Sequence, residues 1–259
     1  MLRSLLPSRY SDFLSQLFPH AAAQVALLRC TSPEDSIRLR EDCPTSFIHL
    51  HPAELDALAT YSLPKRRSEF LTGRLAARLA LWNYLESISN TAAADLQTIY
   101  IQNSASGRPI ISGTLPQSLK NVDLSISHSS DLACALIANK DCGIDIQVIS
   151  PSLLKTASAF CSAQEIDILE HQLATCAPLK RLGLLWSAKE ACRKAAGKVH
   201  LPGFLEMSIR SLTEYAEGMF CATIEKASAG DTTSMAVGLM LYGNYTLAAT
   251  ILEKESHHA

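Results

Sequence analysis

Apolar residues recur at helical spacing over two long stretches of the chain. The first runs from Pro64 to about residue 87, and the second runs from Pro178 to Gly197. Proline is favoured in the first turn of a helix and glycine directly after its last turn, so these residues mark where the helices begin or end. Ser162 followed three residues later by Glu165 has the form of a capping box and predicts a further, shorter helix.

Short apolar segments bounded by turn residues predict β-strands. The predicted ranges are 45–51, 97–102, 122–127, 132–138, 143–148, 204–209, 220–225, 235–242 and 245–252. The last two are joined by Gly243 and Asn244, a strong hairpin signal. The first 44 residues predict short helices mixed with loops. Because each half holds a long helix and several strands, we predict an α+β fold with two lobes, residues 1–140 and residues 141–259.

The composition narrows the classes of protein. Hydrophobic residues make up 47% and charged residues 19% of the 259 residues, which allows a large core and argues against disorder. The formal net charge of −2 gives no general basic field, so no nucleic-acid partner is expected. No apolar run reaches membrane-spanning length, no signal-peptide pattern is present, and the eight cysteines form no CxxC pair. We therefore expect a cytoplasmic protein with reduced thiols and no membrane partner.

An acid and an amide alternate on the predicted strand 143–148. Asp145 and Gln147 leave the same face, whereas their neighbours are apolar. A carboxylate in such surroundings is costly unless it is paired or binds a cation, and oxygen ligands of this kind suit Mg²⁺. The alternative is an acid that caps a neighbouring loop or pairs with an arginine.

A second acid lies on the predicted helix 178–196. Trp186, Glu190 and Lys194 are spaced four residues apart and share one face. Glu190 could bind a metal or act as a base, and Lys189 and Lys194 could hold phosphate oxygens. The alternative is an ordinary exposed Glu–Lys pair on an amphipathic helix.

Further cations precede these segments. Basic residues cluster between 65 and 78, Arg108 stands in a Gly-Arg-Pro turn, and His128 lies in a polar turn after a strand. His128 could donate to a phosphate, although a turn histidine without any chemical role is the alternative. Each feature alone is typical of solvated surface.

Five segments in this order resemble the 4′-phosphopantetheinyl transferase superfamily, and in particular its long, two-lobed surfactin- and enterobactin-type branch. They are residues 65–78, 107–109, 125–129, 143–147 and 186–194. Asp145 matches the acid of the family's G-[IV]-D-[IV]-E strand, and the segment from Trp186 to Lys194 matches its W-S-x-K-E-x-x-x-K helix. The resemblance covers about residues 60–200, and the order of the five motifs makes it specific.

The resemblance implies a pseudo-twofold fold in which each lobe is a long helix packed on a small antiparallel sheet, with the site in the cleft between the lobes. It implies Mg²⁺-dependent transfer of 4′-phosphopantetheine from coenzyme A to a serine of an apo acyl or peptidyl carrier protein, with release of 3′,5′-ADP. A monomer is expected. The rival interpretation is a non-catalytic module that binds coenzyme A or a carrier protein through a degenerate metal site.

The resemblance also implies roles for individual residues. Asp145, Gln147 and Glu190 are the expected metal ligands, and Glu190, Lys194 and Asp145 the expected catalytic residues. Glu190 is our candidate base, with Lys194 as the competing assignment. The expected coenzyme-binding residues are Arg66, Arg67, Arg74, Arg108, His128, Lys189 and Lys194. Gln147 departs from the family strand, which often has a second acid there, so Asp145 and Glu190 are expected to carry most of the metal affinity.

Overall fold

A computed structural model describes residues 4–29, 50–88, 98–197, 201–228 and 231–252. The chain divides into two compact units, Met1–Asp12 with Ala22–Asn139 and Phe13–Ala21 with Lys140–Ala259. The first helix, α1 (Ser8–Leu17), is therefore shared between the two units. Most of the strand predicted at 45–51 lies outside the described residues.

The first unit packs one long helix on a three-stranded antiparallel sheet. Its strands are β1 (Ala23–Arg29), β4 (Asp123–Ser129) and β5 (Leu132–Ala138), in the order β1-β5-β4. A short helix α2 (Pro52–Ala59) precedes the long helix α3 (Pro64–Ile88), and β2 (Ile99–Asn103) pairs with β3 (Pro109–Gly113). A 3-10 turn spans Gln117–Leu119.

The second unit repeats this plan with a larger sheet. Its strands are β6 (Cys142–Val148), β7 (Met207–Ala216), β8 (Met219–Ser228), β9 (Asp231–Tyr242) and β10 (Tyr245–Ile251), in the antiparallel order β6-β10-β9-β8-β7. The helices are α4 (Ser152–Thr156), α5 (Ala163–Gln172) and the long α6 (Pro178–Ala196), with 3-10 turns at Ala157–Ala159 and Phe204–Glu206. The α6 helix packs on β6 and β10, where Ser187 Oγ lies 2.7 Å from Thr246 Oγ1.

A buried glutamate ties the elements of the first unit together. Glu54 closes the capping box of α2, accepting a hydrogen bond from the His51 backbone N–H at 2.8 Å. The same carboxylate accepts from Arg78 Nε on α3 at 3.0 Å and from the Ile101 backbone N–H on β2 at 3.1 Å. The Glu54 carboxylate therefore accepts hydrogen bonds from the start of a helix and from a strand, and it also neutralises a buried cation.

The second unit contains the same arrangement. Glu165 closes the capping box of α5 by accepting from the Ser162 backbone N–H at 2.9 Å. It also pairs with Lys189 on the long helix at 2.7 Å and accepts from the Ile209 backbone N–H on β7 at 2.9 Å. We call these two groups the first-unit anchor (Glu54, Arg78, Ile101) and the second-unit anchor (Glu165, Lys189, Ile209).

Most predicted elements are present, one predicted strand is wrong in part, and several observed elements were not predicted, among them β1, β3, α2 and α4. The α+β class with a long helix on an antiparallel sheet is confirmed in each unit, as are the capping box at Ser162 and both long helices. The strand predicted at 204–209 is wrong at its start, because Phe204–Glu206 forms a 3-10 turn and β7 begins at Met207. The strand β1 was not predicted, because its apolar run is buried without alternation and only pairing with β5 defines it.

None of the helices in the described residues is long and apolar enough to cross a membrane. The cysteines within those residues are all free thiols, namely Cys134, Cys142, Cys161, Cys176, Cys192 and Cys221. Burial raises the pKa of the Cys161 thiol to about 11, so this side chain behaves as a small apolar group near neutral pH.

Candidate functional site

The acid predicted on strand 143–148 lies on β6, two residues after the point at which Gly143 passes close to the backbone of α6. A Cβ atom at Gly143 would lie 1.9 Å from the Ala191 carbonyl oxygen, so only glycine fits. Residues 143, 145 and 147 alternate onto one face of the strand, which therefore points Asp145 toward α6. Asp145 is buried, with 8% of its side chain exposed.

Lys194 of α6 binds this strand directly. Its Nζ atom donates to Asp145 Oδ1 at 2.8 Å and to the Ile144 carbonyl oxygen at 2.9 Å. The structure thus brings together two residues that are 49 positions apart in sequence, both of which the resemblance assigns to one catalytic site.

Glu190 lies one helical turn before Lys194 and faces the same acid. Burial, and then the negative charge of Asp145, raise the pKa of the Glu190 carboxyl, while Lys194 and Arg193 oppose this shift. Arg193 NH1 donates to Glu190 Oε1 at 2.7 Å. Two carboxylates that disfavour each other's charge form a natural position for a cation.

The donors fit a hard divalent cation. Gln147 is half-buried, and its Nε2 atom donates to the Val148 carbonyl oxygen at 2.9 Å, which leaves the amide oxygen as its possible ligand atom. Within the described residues, no three His, Cys, Asp or Glu side chains cluster as a metal site. A metal held by Asp145 and Glu190 would therefore complete its shell with amide, water and phosphate oxygens, which is the usual pattern for Mg²⁺.

Lys189 does not belong to this group, contrary to its predicted role as a phosphate ligand. Its side chain is 0% exposed and binds Glu165 together with the carbonyl oxygens of Phe160 at 2.7 Å and Phe204 at 3.1 Å. An ammonium group has three protons, and these contacts use all of them. Lys189 therefore holds the second unit together and has no proton to offer a ligand.

The first unit contains an open pocket of about 220 Å³. It is lined by cationic, aromatic and small residues, namely Tyr61, Arg66, Glu69, Phe70, Gly73, Arg74, Asn103, Gly107, Pro109, Ile126 and His128. Three of the predicted coenzyme ligands, Arg66, Arg74 and His128, thus line one pocket. We refer to it as the first-unit pocket.

Arg74 is the most buried cation of this pocket. Its NH2 atom donates to Asn103 Oδ1 at 2.8 Å, and its guanidinium stacks over the Phe70 ring at 4.6 Å. Burial lowers the pKa of the Arg74 guanidinium, although arginine stays charged at neutral pH. Its Nε atom is buried and makes no hydrogen bond within the described residues, so this N–H is a donor that a ligand could satisfy.

Arg67 and Arg108 lie in other surroundings. The Arg67 guanidinium faces the carbonyl oxygens of Leu58 and Tyr61, at 3.5 and 3.3 Å. Arg108 forms an ion pair with Asp123 at 2.5 Å, in which both side chains are largely buried. A phosphate would have to share Arg108 with this carboxylate.

The structure adds residues that the motifs did not identify. Arg193 lies within the 186–194 segment and was assigned no role of its own, yet it binds Glu190 and stacks on Phe204 at 4.1 Å. Glu69 was not predicted at all, yet it lines the first-unit pocket. Its position three residues after Arg66 and four before Gly73, on one face of α3, is the only sequence signal that could have found it.

Comparison with known proteins finds matches that share one family description. A model described as the 4′-phosphopantetheinyl transferase superfamily matches residues 141–249, the part of the chain that contains Asp145, Glu190 and Lys194. A Synechocystis sp. protein, provisionally named a 4′-phosphopantetheinyl transferase, is 30% identical over 141 residues, covering 53% of each chain. The 4′-phosphopantetheinyl transferase psf-1 of Bacillus pumilus is 30% identical over 110 residues, covering 41% of this chain and 43% of psf-1.

These matches confirm the predicted resemblance: residues 141–249 of the chain are similar to the 4′-phosphopantetheinyl transferase superfamily. The aligned part spans about half the length of the curated relatives. A solved structure described as apo-ACPS of Chronobacterium ammoiniagenes is 22% identical, covers 46% of this chain and 94% of that one, and has a TM-score of 0.36. A likeness of that size carries no argument here.

Proposed function

We propose that the protein transfers 4′-phosphopantetheine from coenzyme A to a serine hydroxyl of an apo acyl or peptidyl carrier protein. The observation that carries this proposal is the contact of Lys194 with Asp145, beside Glu190. It brings two carboxylates and one ammonium group from two of the matching motifs close together. In this reaction the serine oxygen forms a bond to the phosphorus that bears pantetheine. The bond from that phosphorus to the bridging oxygen breaks, and 3′,5′-ADP leaves.

The residues of the second unit suit the demands of this transfer. Phosphoryl transfer depends mainly on positioning and on the stabilisation of developing charge. Lys194 offers a cation to the pyrophosphate oxygens while Asp145 and the Ile144 carbonyl fix its position. Burial raises the pKa of the Glu190 carboxyl, which makes its carboxylate a stronger base, and we assign it the serine proton, taken directly or through water.

We include Mg²⁺ in the proposal, held by Asp145 and Glu190 with Gln147 contributing an amide oxygen or a bound water. A bound divalent cation neutralises charge on the pyrophosphate during transfer. The pair of facing acids, and the positive shift of the Glu190 pKa that Asp145 contributes, support this choice.

We assign the adenosine and 3′-phosphate end of coenzyme A to the first-unit pocket. Arg66 and His128 are exposed enough to reach a phosphate, and Arg74 offers its buried Nε–H. Tyr61 and Phe70 supply aromatic faces for a base, with ring centroids 5.3 Å apart. A cytoplasmic location and action as a monomer complete the proposal.

The test is transfer to an apo carrier protein in the presence of coenzyme A and Mg²⁺, measured by intact mass. We expect the carrier to gain one phosphopantetheine, and a carrier with its serine changed to alanine to gain none. Asp145→Asn should slow this gain by about 10²–10³-fold, whereas Asp167→Asn, which changes an exposed acid of the same unit, should leave its rate unchanged.

Binding of coenzyme A without transfer to carriers from several pathways would overturn the transferase proposal and favour the non-catalytic module. Two observations favour the non-catalytic module. The Gln147 amide N–H donates to the carbonyl oxygen of its neighbour Val148. The described residues of the site also provide two acids rather than three.

A further inference from the structure

The first-unit pocket contains an acid among its cations. Glu69 is buried, with 9% of its side chain exposed, and its Oε2 atom accepts from Arg66 NH1 at 3.1 Å. Its other oxygen, Oε1, lies 3.8 Å from Lys65 Nζ and 4.0 Å from His128 Nδ1. Both distances exceed a hydrogen bond, so Oε1 retains capacity to accept one.

A carboxylate is unfavourable in a pocket for simple anions, because it repels any phosphate that approaches the arginines. The repulsion is offset when the ligand brings a hydroxyl or amino group that donates to the carboxylate. A site with a buried polar group strongly rejects analogues that leave this group unpaired. Glu69 therefore favours anions that carry a hydrogen-bond donor over anions that carry none.

The other walls of the pocket favour a nucleotide as the selected anion. Arg74, which stacks on Phe70 at 4.6 Å, presents a buried Nε–H without a hydrogen bond in the described residues. Tyr61 and Phe70 offer aromatic surface beside it. The pocket thus combines donors for a phosphate, flat apolar surface for a base and an acceptor for a hydroxyl or amino group.

We propose that Glu69 is a specificity-determining residue, which accepts a hydrogen bond from a hydroxyl or amino group of a nucleotide and excludes anions that lack such a donor. The inference rests on the assignment of the adenosine end of coenzyme A to this pocket. It does not depend on transfer to a carrier protein.

The test compares two probes by titration calorimetry on the full chain without metal. Adenosine 3′,5′-bisphosphate carries phosphates and donors, whereas inorganic pyrophosphate carries phosphates alone. The unsubstituted protein should prefer the bisphosphate. Glu69→Gln should reduce that preference by about tenfold or more, because a charge-assisted hydrogen bond weakens and the repulsion of pyrophosphate disappears. Glu86→Gln, an exposed acid of the same helix, is the matched control and should change neither affinity.

A second variant separates the effect of the negative charge at position 69 from the effect of the side-chain length. Glu69→Asp keeps the negative charge but withdraws the carboxylate by one methylene, so it should continue to exclude pyrophosphate while binding the bisphosphate more weakly. Equal changes in both affinities, or an unchanged preference in Glu69→Gln, would overturn the inference. Binding of neither probe by the unsubstituted protein would also overturn it.

The outcome is distinguishable from failure of the proposed function. A protein that selects the bisphosphate through Glu69 but modifies no carrier would sustain this inference and contradict the transferase. A protein that modifies carriers, but whose preference between the two probes is unchanged in Glu69→Gln, would support the transferase and contradict this inference.

Discussion

Each unit has an anchor of the same kind, but the candidate functional residues precede the anchor cation along the long helix of the first unit and follow it along the long helix of the second. In the first unit the long helix contributes Arg78 to the anchor, and the pocket residues Arg66 and Arg74 precede that position. In the second unit the long helix contributes Lys189, and Glu190 and Lys194 follow it. A buried cation on a long helix is therefore part of the framework in both units, and the functional residues are its neighbours.

The comparison also shows why membership of a motif does not define a role. Lys189 and Glu190 are adjacent in the same motif, yet one is fully buried in the anchor and the other faces Asp145. Consecutive helical residues point about 100° apart, so a motif on a helix necessarily contributes to two different surroundings.

The largest expected effect follows from breaking either anchor. Lys189→Met and Arg78→Met each leave a buried carboxylate without its cation, which costs about 3–5 kcal/mol of the free energy of unfolding. Urea unfolding monitored by circular dichroism measures the loss. Lys180→Met, an exposed change on the same helix as Lys189, should cost far less. Weaker coenzyme A binding with unchanged stability in Lys189→Met would show that Lys189 is a ligand after all.

The residues beside the second-unit anchor should respond in the opposite way. Asp145→Asn and Glu190→Gln should each lower the rate of transfer by about 10²–10³-fold, because each removes a charge that the transition state needs. The folded pKa of Glu190 is raised, so its charged form costs stability at pH values above that pKa, and the cost is absent at lower pH. The neutral Glu190→Gln variant should therefore match or exceed the thermal stability of the unsubstituted protein at neutral pH. A large drop in melting temperature would place Glu190 in the framework.

Close helix–strand contacts offer a third comparison between the units. A Cβ at Gly143 would lie 1.9 Å from a backbone carbonyl oxygen, whereas a Cβ at Gly73 would meet only the Ile126 methyl group at 3.2 Å. Gly143→Ala should cost about 1–3 kcal/mol of stability through overpacking. Gly73→Ala should be close to neutral, since a gain of about 1 kcal/mol in helix propensity offsets the tighter contact. Thermal unfolding of the two variants should separate them clearly, and equal losses would contradict this geometry.

The smallest effect is expected at Gln147. Gln147→Glu adds a third acid to the face that carries Asp145, which should tighten Mg²⁺ binding severalfold because affinity rises with ligand charge. Calorimetric titration of Mg²⁺ into the variant measures the change, with Glu225→Gln as a remote charge control. A loss of Mg²⁺ affinity would exclude Gln147 from the metal site.

Several features could be predicted from local sequence, because their physical causes are local. The capping box at Ser162, the proline that begins each long helix and the Gly243-Asn244 hairpin each depend on a few neighbouring residues. The spacing of Glu190 and Lys194 likewise places both on one helical face. The five ordered motifs were sufficient to predict the resemblance that the comparisons find over residues 141–249.

Other features depend on elements that are far apart in the chain. The strand β1 becomes a strand only through pairing with β5, more than a hundred residues away. The role of Lys189 is decided by Glu165 and by two carbonyl oxygens on other elements. Glu69 acquires its surroundings from His128 and from the rest of the pocket.

The sequence by itself therefore determined the α+β class, the long helices and a set of candidate phosphate and metal ligands, because periodicity, caps and side-chain chemistry are properties of short segments. Only the tertiary structure decided which charges are internal and which face a ligand. That division depends on burial and on the partners within hydrogen-bond distance. Those partners put Lys189 in an anchor, Lys194 against Asp145 and an acid in the cationic pocket of the first unit.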